Sequence, residues 1–222
     1  MNNLTLIIPA KNEKDSLPLV LEEINNLNLN AKIVLEENDE ETINAIKKYN
    51  HDILYQPNKG YGDALIHGIN QCKTDYYCIF NADGSFDPKE IKSMYEELVN
   101  LNHDIVFGSR YQKNSGSDDD TIVTLVGNYI FTYIGKIFFS LPINDILYTF
   151  VIGKTKETQN LKLKQKDFSF CVELPIKAKK ENLNISSYPC YERTRIAGKK
   201  KVNEFKDGFL ILAYLISTFF IR

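Results

Sequence analysis

The sequence predicts an α/β protein with a mostly parallel central sheet and helices on both of its faces. Short apolar runs alternate with amphipathic helical patterns through the first half of the chain, which is typical of sheets built from β-α-β units. The first run, residues 4–9, is apolar almost throughout, as expected of a strand that is covered on both faces. The 222 residues are enough for one large domain or two small ones with a buried core.

Seven apolar, β-prone runs bounded by turn residues predict strands. Prolines stop two of them, because Pro9 ends the first run and Pro57 follows the third. In chain order, the predicted strands are residues 4–9, 31–35, 52–55, 76–81, 104–108, 145–152 and 185–190.

Between these strands, apolar residues recur at intervals of three and four, which predicts helices with one buried side. In chain order, the predicted helices cover residues 17–27, 43–49, a segment up to Ile69, 88–102, 123–141, 168–180 and 207–221.

Three segments do not fit this regular alternation. The apolar segment 123–141, one helix or two, is expected to be core, with a membrane interface as the alternative. Residues 113–120 are polar and are expected to form a mobile loop. Residues 192–201 are dense in positive charge, which is usually a solvated face unless a phosphate must be neutralised nearby.

Composition excludes several classes of function. A formal net charge of −2 gives no indication of nucleic-acid binding. The four cysteines stand far apart without CxxC or CxxH spacing, so we expect no zinc site or disulfide framework and a cytoplasmic location. The apolar stretches 122–143 and 209–221 are interrupted or short, so neither is expected to span a membrane.

The acidic turn after the fourth strand is the strongest candidate site. Ligands of open α/β sheets bind just beyond the carboxyl ends of the strands, and a carboxylate there suits a divalent cation that also binds phosphates. Asp83 is the best candidate metal ligand, with the oxygens of Asn81 and Ser85 close by. A solvated turn with Asp87 near a helix start explains the same residues without a function.

A second candidate is the segment 58–65, in which Gly60 and Gly62 stand just before a helix. Glycines at a helix start allow the backbone to approach a ligand, and the helix N-terminus favours an anion. A plain turn is an equally good explanation of one GxG pair.

Five segments, in this order, resemble the family-2 glycosyltransferases, and most closely the dolichyl- or polyprenyl-phosphate sugar synthases. Residues 7–13 look like the opening strand and nucleotide-base loop of the family, and residues 58–64 look like its glycine loop. Residues 81–83 stand where the family has its Asp-x-Asp metal motif. Residues 108–111 match Gly-Ser-Arg-Tyr closely, and residues 195–201 look like the late basic segment.

The resemblance implies a glycosyltransferase A-type fold over residues 1–206, with an apolar helix at 207–222 that packs on the domain or lies in a membrane interface. It also implies inverting transfer from a nucleoside-diphosphate sugar, assisted by Mg²⁺ or Mn²⁺. The implied acceptor is a polyprenyl phosphate, met by peripheral contact with the inner face of the cell membrane.

The resemblance also assigns roles to individual residues. The expected catalytic residues are Asp83, Asp145 and Arg110, and the expected metal ligands are Asp83, Asn81 and Ser85. Phosphate contacts are expected from Arg110, Arg195 and Lys201. Donor contacts are expected from Pro9, Ala10, Asn12, Glu13, Glu37, Lys59, Gly60, Asp63, Asn81, Ala82 and Asp83.

The chain departs from the family pattern in four places. Asn81 replaces the first aspartate of the metal motif, and residues 36–38 read Glu-Glu-Asn where the family has Asp-Asp-Gly. Residues 145–150 read Asp-Ile-Leu-Tyr-Thr-Phe where the synthases have Asp-x-x-Ser-Gly-Phe. Lys200 stands in place of the serine of the late basic motif. Weakened metal binding is therefore expected, because an amide oxygen replaces one carboxylate.

The acceptor depends on whether a general base is present. A sugar hydroxyl must lose a proton and needs a positioned carboxylate, but residues 148–152 contain no acid. A lipid phosphate is already anionic, so it is the favoured acceptor, with Asp145 positioning other groups. The alternatives are a glycan hydroxyl with Asp145 or Glu173 as base, and a degenerate nucleotide-sugar-binding protein that has lost catalysis through Asn81. A nucleotidyltransferase is less expected, because residues 10–13 contain no glycine.

Overall fold

A computed structural model describes residues 3–198 and 200–220 of the chain. Residues 1, 2, 199, 221 and 222 lie outside the described residues. They include Lys199 of the predicted basic segment and residues 221 and 222 of the C-terminal helix expected over 207–222.

The described residues contain strands and helices in the alternation that the sequence predicts. The strands are β1 (Leu4–Pro9), β2 (Asn30–Leu35), β3 (Asp52–Tyr55), β4 (Tyr76–Ile79), β5 (Ile105–Ser109), β6 (Gly116–Ser117), β7 (Val151–Lys154), β8 (Ile185–Pro189) and β9 (Tyr191–Glu192). The helices are α1 (Leu17–Asn26), α2 (Glu40–Ile46), α3 (Tyr61–Asn70), α4 (Glu90–Asn100), α5 (Ile122–Phe139), α6 (Thr155–Asn160), α7 (Phe170–Lys180) and α8 (Glu204–Phe220).

The main sheet has seven strands in the order β3-β2-β1-β4-β7-β5-β8. Every neighbouring pair is parallel except those that involve β7, which is antiparallel to both β4 and β5. The predicted, mostly parallel sheet is therefore confirmed. The carboxyl ends of β1, β2 and β4 lie at one edge, and the residues before β7 reach that same edge because β7 runs the other way.

Alternate side chains of β1 enter two separate hydrophobic clusters, one on each face of the sheet. Leu6 packs with residues of α1 and α4, whereas Ile7 packs with residues of α3 and α7. This two-sided burial explains why residues 4–9 are apolar almost throughout.

The strand predicted over residues 145–152 is wrong for most of its length, because β7 begins only at Val151. Asp145 lies in the connection before it, where its carboxylate is fully buried against Arg110. No sequence pattern predicted α6, β6 or β9. The last two have only two residues each, which is too short to produce a hydrophobic period.

The expectation that residues 123–141 are core is also wrong. Only four residues of α5 are buried, and large side chains such as Tyr133 (66% exposed) face outward. Within the described residues, α5 is the one helix long and apolar enough to cross a membrane by length and composition. Helix α8 begins at Glu204, three residues earlier than predicted, and packs on the domain through Ile211 and Leu215.

Two helical glycines should respond oppositely to replacement by alanine. A Cβ at Gly68 of α3 would lie 2.3 Å from Ile7 Cγ2 in the core, whereas a Cβ at Gly127 of α5 meets no atom within 4 Å. We expect Gly68→Ala to lower the free energy of unfolding by about 1–3 kcal/mol through overpacking, and Gly127→Ala to raise it by about 0.5–1 kcal/mol. Urea denaturation measures both, and equal effects would contradict the packing of α3 on β1.

Candidate functional site

A cavity of about 810 Å³ opens at the carboxyl ends of β1, β2 and β4. It lies where ligands of open α/β sheets bind. Most of the residues predicted for the site line it, namely Pro9, Ala10, Glu13, Lys59, Gly60, Asn81, Ala82, Asp83, Ser85, Arg110, Arg195 and Lys201.

The acidic turn after β4 is held in shape by its own hydrogen bonds. The backbone N–H of Ser85 donates to Asp83 Oδ1 (3.0 Å), and Asn81 Nδ2 donates to Ser85 Oγ (3.3 Å). Gly84 has a positive φ of 80°, and a Cβ there would lie 2.4 Å from Ile196 Cδ1. The turn therefore needs a glycine both for its backbone conformation and for close contact with the late segment.

The late basic segment is fastened to this turn by two backbone hydrogen bonds. The N–H of Ile196 donates to the carbonyl of Asp83, and the N–H of Arg193 donates to the carbonyl of Ser85, both at 2.8 Å. As a result, Arg195 lies over the turn although it is more than a hundred residues away in the sequence.

Arg195 lies between two carboxylates. Its Nη1 is 3.5 Å from Asp83 Oδ2, and its Nη2 is 2.8 Å from Asp119 Oδ2. Burial alone lowers the pKa of the guanidinium, but the hydrogen bond to Asp119 and the charges of Asp83 and Asp119 raise it above its ordinary value. The guanidinium therefore stays charged and is held next to the candidate metal ligand.

Two lysines complete the cationic side of the cavity. Lys200 Nζ donates to the backbone carbonyl of Asp119 (2.7 Å), and Lys201 Nζ lies 3.3 Å from Glu13 Oε1. Both lysines line the cavity. An anion that enters would meet these two side chains and Arg195.

The residues at the turn suit a divalent cation that is shared with a phosphate ligand. Among the described residues, no group of three or more His, Cys, Asp and Glu side chains could hold a metal ion alone. Asp83 nevertheless offers one carboxylate, and Asn81 and Ser85 offer neutral oxygens. Mg²⁺ is commonly bound by one or two carboxylates together with substrate phosphates, so this donor set fits the ion when a nucleotide is present.

Arg110 is buried among acids. Its Nε lies 2.7 Å from Asp145, and its Nη1 lies 3.0 Å from Glu192 and 3.2 Å from Asp120. Its Nη2 donates to Asp145 Oδ1 (3.0 Å), and the guanidinium lies 4.5 Å from the centre of the Tyr148 ring. Each guanidinium nitrogen thus already holds a carboxylate. This arrangement differs from the predicted phosphate contact, because protein carboxylates engage the guanidinium.

Burial of these acids opposes their ionisation. It raises the pKa of both Asp145 and Glu192, although the charge of Arg110 acts in the opposite direction. The cluster therefore depends on Arg110 to keep its carboxylates charged.

Four predicted site residues are absent from the cavity wall in this structure. Asn12 and Glu37 are exposed, and Glu36 faces the cavity instead. Asp63 accepts hydrogen bonds from the backbone and side chain of Asn58, both at 3.0 Å, so it holds the glycine loop in shape. Asp145 is hydrogen-bonded to Arg110, which lines the cavity in its place.

The segment 113–120, predicted to be a mobile loop, is anchored. Its short strand β6 pairs with β9, and Asp119 and Asp120 hold Arg195 and Arg110. Both acids, together with Glu36, Glu192 and Lys200, are not among the site residues predicted from the sequence. The available signal was the opposite charge of two runs, the aspartates at 118–120 and the basic residues at 193–201, which stand far apart in the sequence.

The sequence of the chain is similar to those of known glycosyltransferases. The model of the family described as "Glycosyl transferase family 2" matches residues 5–164. An uncharacterized glycosyltransferase of Mycobacterium tuberculosis is 24% identical, over 94% of this chain and 93% of its own. The UDP-N-acetylglucosamine–dolichyl-phosphate N-acetylglucosaminyltransferase of Methanococcus voltae is 27% identical, over 83% of each chain.

Solved structures show the same fold at low sequence identity. The glucosyl-3-phosphoglycerate synthase of Mycobacterium tuberculosis, in complex with Mn²⁺, uridine diphosphate and phosphoglyceric acid, matches with a TM-score of 0.76 and 12% identity. The match covers 98% of this chain and 78% of the synthase. The predicted glycosyltransferase A-type fold is therefore confirmed.

Asp119 should compete with anions for Arg195 and Lys200. We expect Asp119→Asn to bind inorganic pyrophosphate up to about fivefold more tightly than the wild type, because a partly exposed ion pair contributes about 0.2–1 kcal/mol. Isothermal titration calorimetry without divalent metal measures the affinity. The control is Asp118→Asn, which removes the same charge from a residue that bonds Tyr191 (2.7 Å) outside the cavity. Equal gains in both variants would mean that only net charge matters.

Proposed function

Because the chain belongs to glycosyl transferase family 2, we propose that this glycosyltransferase moves a sugar from a uridine-diphosphate sugar to a polyprenyl phosphate, with inversion at the anomeric carbon. The observation that carries this function is the placement of Asp83 Oδ2 3.5 Å from the Arg195 guanidinium in one cavity. A carboxylate and a cation at a strand exit suit a metal-bound diphosphate.

The donor would lie along the edge of the sheet. Pro9, Glu13 and Glu36 frame the end of the cavity where the base and ribose would fit. The diphosphate would then lie near Asp83, Arg195 and Lys201. The Methanococcus voltae relative is named for a UDP-sugar donor, and the Mycobacterium tuberculosis synthase binds uridine diphosphate, which favours uridine over other bases.

Departure of the nucleoside diphosphate builds negative charge on its outer phosphate, and this charge must be stabilised. A bound Mg²⁺ or Mn²⁺, held by Asp83, Asn81 and Ser85, would supply Lewis-acid stabilisation of that charge. Arg195 would leave Asp119 and add a charged hydrogen bond to the same oxygens. Lys201 lies on the same wall of the cavity and would add positive charge.

The two acids considered as general bases for a hydroxyl acceptor are both buried and hydrogen-bonded to other protein groups. Asp145 is fully buried and bonded to Arg110. Glu173 is 1% exposed, accepts the N–H groups of Lys164 and Gln165, and lies outside the cavity wall. This geometry favours an acceptor that is already anionic, because such a nucleophile needs no base.

The outer surfaces of α5 and α8 support a lipid acceptor. Side chains such as Tyr133, Phe205 and Phe209 are 66–83% exposed, and a helix surface of this kind suits the interface of a membrane. We therefore propose that α5 and α8 form a peripheral contact with the inner face of the cell membrane. The C-terminal part of this contact then begins at Glu204, where α8 begins, and not at the expected residue 207. The dolichyl-phosphate acceptor in the name of the Methanococcus voltae relative agrees with this placement.

One observation favours a second candidate function, transfer to a sugar hydroxyl. Asp167 lines the cavity beside the glycine loop, where its carbonyl oxygen would lie 2.7 Å from a Cβ at Gly62. Its carboxylate accepts the N–H of Ser169 (2.7 Å) and has no cation partner among the described residues. A carboxylate placed in this way has the chemistry of a general base.

Purified protein incubated with radiolabelled UDP-sugars, Mn²⁺ and polyprenyl phosphate should form a product that extracts into organic solvent. We expect Asp83→Ala to lower kcat/KM by at least about 100-fold, roughly 2.7 kcal/mol of transition-state stabilisation. The control is Asp87→Ala in the same turn, which removes a bond to the N–H of Lys89 (2.9 Å) outside the cavity.

If no such product forms with any donor, the proposal of a lipid acceptor is contradicted. If kcat/KM is unchanged in Asp83→Ala, the assignment of Asp83 as a metal ligand is contradicted. UDP-sugar binding without transfer or hydrolysis by the wild type would instead identify a degenerate nucleotide-sugar-binding protein.

Asp167→Asn separates the two acceptors. Transfer to a lipid phosphate should stay within about tenfold of the wild type, whereas loss of a general base costs about 10²–10⁴-fold. Initial rates at saturating donor measure the difference, and the melting temperature checks the fold. A collapse of the rate without a change in donor affinity would favour the hydroxyl acceptor.

A further inference from the structure

A buried carboxylate outside the cavity fastens a segment that forms part of the cavity wall. Glu173 of α7 is only 1% exposed. Its carboxylate accepts the backbone N–H groups of Lys164 (2.9 Å) and Gln165 (2.7 Å) and is paired with Lys177 Nζ (2.9 Å). The same Nζ donates to the backbone carbonyl of Lys162 (2.8 Å). A buried charge is unfavourable unless it is paired and hydrogen-bonded, and here its partners fix the backbone between α6 and α7.

Residues 164–168, which we call the strut, pack directly on the glycine loop. A Cβ at Gly60 would lie 2.1 Å from the carbonyl oxygen of Lys166, and a Cβ at Gly62 would lie 2.2 Å from that of Gln165. A side chain at either position would push the two segments apart. The contact between the strut and the glycine loop therefore requires glycine at both positions.

The last two residues of the strut reach the cavity. Asp167 and Phe168 both line it, and the Phe168 ring stacks on the Tyr61 ring with the centroids 4.8 Å apart. The Tyr61 hydroxyl is 2.7 Å from Thr149 Oγ1, and both of these residues line the cavity as well. The strut thus supports the glycine loop and forms one continuous part of the wall with it.

We propose that Glu173 is a positioning residue for the donor. Through the strut, it holds the glycine loop in the conformation in which Lys59 and Gly60 line the cavity and receive the nucleotide sugar. This inference rests on the proposed function and adds a residue that acts without touching the donor. A carboxylate is required because two backbone N–H groups and an ammonium converge on it. An amide would turn its own NH₂ group towards one of these donors.

Replacing the carboxylate by an amide should weaken donor binding without slowing the bound complex. In Glu173→Gln, the glycine loop occupies its position in only a fraction of the molecules, and the apparent affinity falls by that fraction. We expect the Kd for uridine diphosphate with Mn²⁺, measured by isothermal titration calorimetry, to rise about fivefold. KM for the UDP-sugar should rise by the same factor, whereas kcat at saturating donor should stay unchanged, because bound donor restores the loop.

The matched control is Asp104→Asn at the amino end of β5, away from the cavity. Asp104 also accepts a backbone N–H, that of Asn184 (2.8 Å), and is paired with Lys154 Nζ (2.8 Å). Both replacements remove a carboxylate that holds a backbone segment, so both should lower the melting temperature. Only Glu173→Gln should change the Kd for uridine diphosphate, because Asp104 and its partners lie outside the cavity wall.

A second variant tests the path through the strut and does not depend on whether Glu173→Gln folds. Gly62 lies outside the cavity wall, so Gly62→Ala displaces the strut without touching the donor. It should also raise the Kd for uridine diphosphate. The double variant should bind no more weakly than the weaker single variant, because both changes release the same contact. Losses that add would show that Glu173 acts by another route and would overturn the inference.

The outcomes separate this inference from the proposed function. If the wild type binds no uridine diphosphate and transfers sugar from no UDP-sugar, the proposed function fails. If the wild type does bind it, but Glu173→Gln has the same Kd as Asp104→Asn, the positioning role is overturned. A lower kcat of Glu173→Gln at saturating donor with an unchanged KM would also overturn it, because that result places Glu173 in the chemical step.

Discussion

The attachment of the late basic segment to the acidic turn after β4 is the interaction on which the site depends. Two backbone hydrogen bonds, from Ile196 to Asp83 and from Arg193 to Ser85, fix the distance between the candidate metal ligand and Arg195. Gly84 makes this approach feasible because no side chain fits between the turn and Ile196. These bonds involve only backbone atoms, so they fix the main chain from which the two side chains extend, and the ion pair of Arg195 with Asp83 (3.5 Å) holds the charged ends together. A diphosphate would then meet a site whose opposite charges are already in place, which limits the reorganisation needed for catalysis.

The acids around Arg110 and Arg195 explain how so many charges share one cavity. Arg110 is paired with Asp120, Asp145 and Glu192, and Arg195 is paired with Asp119. The short pair of β6 with β9 brings these acids to the site. The result is a cavity in which the arginines differ in role. In the proposed mechanism, Arg110 shapes the cavity wall, because buried carboxylates engage its nitrogens, whereas Arg195 exchanges Asp119 for a phosphate.

Local sequence patterns predicted most of the fold, because strands with both faces buried and helices with one buried side leave clear hydrophobic periods. They failed where burial comes from ion pairs, as for Asp145, which lies in a connection rather than a strand. They failed again for α5, because an apolar helix looks the same whether its partner is core or lipid. Within the site, Asp83, Arg195 and Lys201 were predicted through motifs. Asp119 and Glu192 were missed because they act only through contacts with residues far away in the chain.

The most direct measurement of the central claim is a crystal structure of the chain with uridine diphosphate and Mn²⁺. We predict that a diphosphate oxygen and Asp83 share the metal, and that the Arg195 guanidinium has left Asp119 for the same diphosphate. A nucleotide bound away from the turn after β4, or a diphosphate out of reach of Arg195, would contradict the assignment of this cavity as the donor site.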